Sequence, residues 1–134
     1  MPVHVVERLV EALNERSKPL RGAKVLLIGV AYKRDVDDTR ESPALAIIKL
    51  LDSKFADVIY HDPHVPVLQS RHLMRHLESV ELTLETLKGV DAVIIVTDHS
   101  TIDYNLIVEN AKLIVDTRGA TRHLPAKCDR IVAA

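Results

Sequence analysis

The feature that most constrains this chain is residues 24–31, Lys-Val-Leu-Leu-Ile-Gly-Val-Ala, apolar at nearly every position and ending in small residues. A strand with one wet face alternates apolar and polar side chains, whereas a strand covered on both faces does not. The run therefore predicts a central parallel strand with helices packed on both sides of its sheet. A second run, Ala92-Val-Ile-Ile-Val-Thr97, reads the same way. Between and around these runs the apolar period changes. Val5, Val6, Leu9, Val10 and Leu13 recur at three- and four-residue steps and predict a helix over 3–16, with Pro2 in its first turn and Pro19 and Gly22 ending it.

Further elements alternate along the chain. Ser42 before Pro43 is an N-cap followed by proline at the first helical position, which predicts a helix over 43–53. A short strand is expected over 57–60, broken by Asp62-Pro63. A helix is expected over 67–77, a short strand near 80–82, a helical turn at 84–88, a helix over 104–110, and strands over 112–116 and 130–133. Strands alternating with helices give an α/β fold with a doubly wound, mostly parallel sheet, preceded by an N-terminal helix. Residues 17–22 are the one linker the sequence suggests.

Composition narrows the function. With 134 residues the chain has the size of one domain. Eighteen basic and nineteen acidic residues leave a net charge of −1, so no global field attracts nucleic acid or an anionic membrane. Tyr32, Phe55, Tyr60 and Tyr104 are the whole aromatic complement, too few for base-stacking platforms. A single cysteine, Cys128, forms no internal disulfide and suits a reducing compartment. No apolar run approaches membrane-spanning length, and residues 1–4 have no signal-peptide pattern. A cytoplasmic protein is expected.

Ligands of open parallel sheets bind beyond the carboxyl ends of the strands. That rule selects residues 32–42, 61–65, 97–101 and 117–122. The first of these loops lacks the closely spaced glycines of a dinucleotide fingerprint: Gly29 stands alone, followed by Ala31, Tyr32 and Lys33. A Walker pattern is absent too, so a ligand there must be held by side chains. Lys33, Arg34 and Arg118 lie at strand ends, where two cations converging suit a diphosphate; solvated loop charges are the equal alternative. Asp62 occupies the place of a ribose-binding carboxylate, but as the opener of an Asp-Pro turn it reads better as structural. His99 is open to two roles, a brace or a substrate contact. The histidine pairs His72/His76 and His61/His64 lack companion ligands at metal spacing, so no metal site is expected. Cys128 has no glycine-rich context or neighbouring base and reads as a small structural residue.

Residues 29–44, Gly-Val-Ala-Tyr-Lys-Arg-Asp-Val-Asp-Asp-Thr-Arg-Glu-Ser-Pro-Ala, resemble the signature that opens the C-terminal domain of the UDP-glucose/GDP-mannose dehydrogenase family. Asp62-Pro63, Thr97-Asp98-His99 and Val115-Asp116-Thr117-Arg118 follow in the family's order, so the resemblance covers essentially the whole chain. It implies a Rossmann-like UDP-sugar-binding domain over 19–134, with 1–18 the end of the central dimerisation helix. It also implies that Tyr32 and Lys33 contact UDP, that Arg118 reaches the diphosphate, and that Arg40 reaches NAD across the cleft. In that family the sugar C6 alcohol is oxidised to a carboxylate. The NAD-binding glycines, the catalytic lysine and the catalytic cysteine lie upstream of the central helix. The 134 residues are therefore expected to bind the UDP part, to hold no catalytic residue, and to be inactive alone. NAD is expected mainly on an N-terminal domain, and the parent enzyme is expected to be a homo-oligomer. The segment 36–43 is closer to the N-acetylhexosamine-oxidising branch. Two rival readings are a stand-alone nucleotide-sugar-binding or regulatory module and an NAD- or acyl-handling enzyme, the latter weakened by the missing glycine fingerprint.

Overall fold

The computed structural model describes residues 2–31, 35, 39, 42–68, 77–122 and 130–134. The two apolar runs become β1 (Lys24–Ile28) and β5 (Ala92–Ile95), which pair in parallel at the centre of a five-stranded sheet. The sheet is completed by β2 (Asp57–His61), β6 (Ile114–Asp116) and β7 (Ile131–Ala133), in the order β2-β1-β5-β6-β7, and every pairing is parallel. The chain runs outward from β1 to β2, then crosses back to β5. The switch point between β1 and β5 is where such sheets open a crevice.

Side-chain alternation divides the core in two. Val25, Leu27, Ile94 and Val115 face one layer with α1 (Pro2–Glu15) and α2 (Pro43–Ser53). Leu26, Ile28, Val93, Ile95 and Ile114 face the other, covered by α3 (Leu84–Gly89) and α4 (Tyr104–Asn110). This is the doubly wound arrangement expected. The helix starts follow their capping residues: Ser42 Oγ accepts from Ala44 N, Thr83 Oγ1 from Thr86 N, and an Asp103 carboxylate oxygen from Leu106 N. Helix α1 folds back on the sheet layer, burying Val5, Val6, Leu9, Ala12 and Leu13 against α2 and β6. Full burial of one such leucine contributes roughly 1.5–3 kcal/mol. Among the described residues no helix is long and apolar enough to cross a membrane.

One segment departs from expectation. At the two ends of the helix expected over 67–77, β3 (Val67–Leu68) pairs antiparallel with β4 (Leu77–Glu78). Leu68 and Leu77 lie opposite each other and are both buried. The strand expected near 80–82 is displaced toward the N-terminus, with Ser79 bridging Tyr60 in parallel and Val80 N donating to Tyr60 O. The cause is the outer edge of β2. An edge strand has a row of unpaired backbone groups, and residues 79–80 satisfy part of it. The interior of the expected helix, 69–76, lies outside the described residues, as does Cys128.

Candidate functional site

The described residues of the four loops selected by the sheet rule meet at the carboxyl edge, and backbone contact there is close. Gly29 leaves β1 with φ of +84°, and a Cβ on it would sit 2.6 Å from the Cβ and carbonyl oxygen of Thr97. Only glycine lets β1 exit so near the end of β5. The two ends of the signature loop are then fastened together. Thr97 Oγ1 donates to Ala31 O at 2.7 Å, and Ser42 Oγ reaches the same carbonyl at 3.4 Å.

Asp62 is the buried anchor of this edge. Its Oδ2 accepts from Val30 N (2.8 Å) and Ala31 N (3.2 Å) and lies 2.9 Å from His99 Nε2; its Oδ1 accepts from His64 N at 2.8 Å. Asp62 is therefore the turn residue expected, and more: it ties the exits of β1, β2 and β5 into one unit. His99, wholly buried, is a brace. Its Nδ1 accepts from Asp35 N at 2.7 Å, so the proton sits on Nε2 and is donated to Asp62. Asp35 is further held by Ser100, whose N and Oγ each donate to its carboxylate at 2.8 Å. The signature loop is thus pinned at its ends and at Asp35. His64 adds its ring to this group, with Nε2 3.8 Å from Asp35 Oδ1. Tyr32, Lys33 and Arg40, expected to contact UDP and NAD, lie outside the described residues.

Arg118 lies on the turn that follows β6. Asp116, the last residue of β6, organises the turn that carries it. Asp116 Oδ1 accepts from Arg118 N (3.0 Å) and Ala120 N (3.2 Å); Oδ2 accepts from Thr121 N (2.9 Å) and Thr121 Oγ1 (2.7 Å). Burial alone would raise its carboxyl pKa, but the bonds from Thr121, Arg118 and Ala120 outweigh it and hold the group below the usual carboxylate range. The Arg118 side chain then crosses the end of β5, with Nε donating to Val96 O at 2.9 Å. Among the described residues no carboxylate pairs with its guanidinium, and the side chain is exposed.

Arg118 stands between two cavities. One, of about 230 Å³, lies between Pro2 and Val5 of α1, Pro43 and Ile47 of α2, and Val96. The other, of about 340 Å³, is lined by the Asp116–Thr121 turn, Arg122 and the end of β7. Arg122 packs over Gly119, where a Cβ would come within 3.0–3.3 Å of the guanidinium. Sequence reasoning did not single out Arg122; its spacing from Arg118 across a glycine turn was the available signal. Arg118 thus borders an apolar-walled cavity on one side and, on the other, a cavity shared with the Arg122 guanidinium, which suits an anionic ligand with an apolar or planar part.

Comparison with known proteins agrees with this geometry. Residues 26–123 match the UDP binding domain of the UDP-glucose/GDP-mannose dehydrogenase family. The UDP-N-acetyl-D-mannosamine dehydrogenase of Pyrococcus horikoshii is 31% identical over 130 residues, covering 93% of this chain and 28% of that protein. The UDP-glucose 6-dehydrogenase of Rhizobium meliloti is 28% identical over 138 residues, covering 90% and 31%. Among solved structures, the Pyrococcus horikoshii UDP-D-ManNAc dehydrogenase superposes with a TM-score of 0.77 at 27% identity, over 99% of this chain and 30% of that one. The chain therefore spans about three-tenths of the length of these relatives. A match across 26–123, which takes in all or part of four of the five strands of the sheet, makes this chain a member of the UDP-glucose/GDP-mannose dehydrogenase family, in the part that forms its UDP binding domain.

Proposed function

We propose that the chain binds the UDP moiety of a UDP-sugar in the crevice beside Arg118 and serves an NAD-dependent 6-dehydrogenase that oxidises the sugar C6 alcohol to a carboxylate. The observation that carries this reading is the placement of Arg118. It is fixed by Asp116 through the backbone and by Val96 through Nε, while its charge stays unneutralised by any described acid. A diphosphate takes two charge-assisted bonds from such a guanidinium. Arg122 supplies a second cation beside it. Tyr32 and Lys33 are assigned to the same UDP, and Arg40 to NAD, which is held mainly by another domain of the enzyme. Residues 1–18 are assigned to the end of the central helix and 19–134 to the UDP-binding unit. The substrate class is a UDP-N-acetylhexosamine, supported by the names of the similar archaeal relatives. The parent enzyme is assigned as a cytoplasmic homo-oligomer.

Calorimetric titration tests the reading. UDP binds more tightly than uridine, and the margin shrinks with added salt. Arg118→Ala removes most of that margin and leaves uridine binding unchanged, whereas Arg40→Ala leaves UDP binding nearly unchanged. Equal losses at both positions, or equal affinity for UDP and uridine, would overturn the assignment.

A further inference from the structure

We infer that Asp35, His64 and His99 form a binding site for a zinc-type divalent cation that clips Asp35 to the sheet edge. The inference stands apart from the UDP reading and draws on none of its residues. The three donors come from the loops after β1, β2 and β5, and one ligand atom of each lies within 4.8 Å of the others. Asp35 Oδ1 is 3.8 Å from both His64 Nε2 and His99 Nδ1. With two sides of 3.8 Å and a third no longer than 4.8 Å, the point equidistant from the three atoms lies about 2.5 Å or less from each. Zinc bonds to imidazole nitrogen and carboxylate oxygen run about 2.0–2.2 Å. Each donor therefore needs to move inward by only about half an ångström, within the reach of small side-chain rotations.

Two further observations point to a cation rather than to a chance meeting of loops. The first is His64 Nε2, a buried atom with no hydrogen-bond partner among the described residues. Buried polar atoms are rarely left unsatisfied, because desolvation is then uncompensated. This one faces Asp35. The second is Asp62, which holds both imidazole-bearing residues from behind: its Oδ2 takes the His99 Nε2 proton and its Oδ1 takes the His64 backbone N–H. A carboxylate on the remote nitrogen of a histidine fixes the tautomer and aims the other nitrogen's lone pair, as at metal sites generally. Here that lone pair belongs to Nδ1 and points at Asp35. The imidazole rings of His64 and His99 meet at 4.6 Å between centroids, tilted by 60°, so both can converge on one ion.

Cation binding displaces a bond at His99. The Asp35 N–H, which donates to His99 Nδ1 at 2.7 Å, must turn away so that the metal takes its place. Ser100 holds the Asp35 carboxylate from the other side, with one bond to each oxygen. Two imidazoles and one carboxylate, with a fourth position left for water or a further donor, suit zinc better than calcium or magnesium.

The test is titration of the chelator-treated 134-residue chain with ZnCl₂ by calorimetry, and with Co²⁺ as an optical probe. One Zn²⁺ binds per chain with micromolar affinity or tighter, Tm rises with Zn²⁺ concentration, and Co²⁺ shows the strong visible absorption of a low-coordinate nitrogen- and oxygen-ligated site. His64→Gln, at a partly exposed ring, and Asp35→Asn each weaken binding by about tenfold or more. His61→Gln, whose Nδ1 is committed to Val80 O, and His72→Gln leave it unchanged. Circular dichroism and urea unfolding of each variant verify that the fold is retained. Zinc binding that survives His64→Gln and Asp35→Asn, that is lost in His72→Gln, or that is absent in the parent chain overturns the inference.

Discussion

Replacing Asp116 by Asn tests the link between the β6 turn and Arg118. Asp116 is buried and accepts four hydrogen bonds, three of them from backbone N–H groups. Asparagine is nearly isosteric but turns one acceptor oxygen into a donor. In its better orientation the amide oxygen stays on Arg118 N and Ala120 N, and the NH₂ group meets Thr121 N donor to donor. The Thr121 hydroxyl can rotate to accept; the Thr121 amide cannot. An unmade buried N–H bond costs about 1–3 kcal/mol, and the two retained bonds lose their charge assistance. The expected loss is about 2–4 kcal/mol at pH 7, read as a fall in urea midpoint with unchanged m. The pH dependence sharpens the test. The Asp116 pKa is lowered in the folded state, so its stabilisation is complete above the unfolded carboxyl pKa of about 3.9 and is lost as pH falls through the folded value. The gap between parent and Asp116→Asn should therefore stay constant from pH 7 to 5 and narrow below about pH 4. UDP affinity should fall as well, because the turn that aims Arg118 loosens. A loss under about 1 kcal/mol at pH 7 would refute the reasoning, as would a gap that keeps its full size in acid.

Other perturbations follow from the same edge. Gly29→Ala forces a side chain at φ +84° into the Thr97 backbone and should cost more than about 3 kcal/mol in urea unfolding; a change within 1 kcal/mol contradicts the close approach. Asp62→Ala strands Val30 N, Ala31 N, His64 N and His99 Nε2 at once, and a loss of about 4 kcal/mol or more is expected, with amide exchange at Val30 and Ala31 accelerated. Tyr60, whose hydroxyl donates to Val65 O, has its pKa pushed up to about 12, by burial first and then by Asp62 and Glu78. The folded state holds that proton where the unfolded chain has lost it, so stability should fall by up to about 3 kcal/mol between pH 10 and 12; Tyr60→Phe should flatten this limb in alkaline urea titrations.

The fold was legible where the chemistry is one-dimensional. Unbroken apolar runs gave β1 and β5, and Ser42-Pro43 marked the start of α2 because the N-cap and the proline act within two residues of each other. The ends of the segment at 67–77 departed from expectation for a related reason. The open edge of β2 offered the backbone at 79–80 a partner that no local pattern encodes, and Leu77–Glu78 pairs with Val67–Leu68 just before it. At the site, the loops were legible and their internal wiring was not. Arg118 could be placed by its strand, whereas the roles of Asp62 and Asp116 depend on amides collected by turn geometry. The histidine pairs weighed from the sequence were neighbours in the chain. Those that meet in space, His64 and His99, come from different strands and are joined by Asp35 from a third.

The two buried aspartates also explain how a chain with nearly balanced charge can present an anion site. An acid and an arginine two residues apart can pair, and the pair then cancels. Here Asp116 lies two residues from Arg118, yet its oxygens are taken by N–H groups and a hydroxyl. Asp62 is likewise satisfied by amides and the Nε2–H of His99. Amide dipoles stabilise each carboxylate locally without consuming a side-chain cation. Arg118 can then spend its Nε on Val96 O and keep the rest of its guanidinium, with Arg122 beside it, for a ligand. Swapping this wiring for an ion pair would leave the net charge at −1, but it would remove the local field on which the proposed diphosphate contact depends.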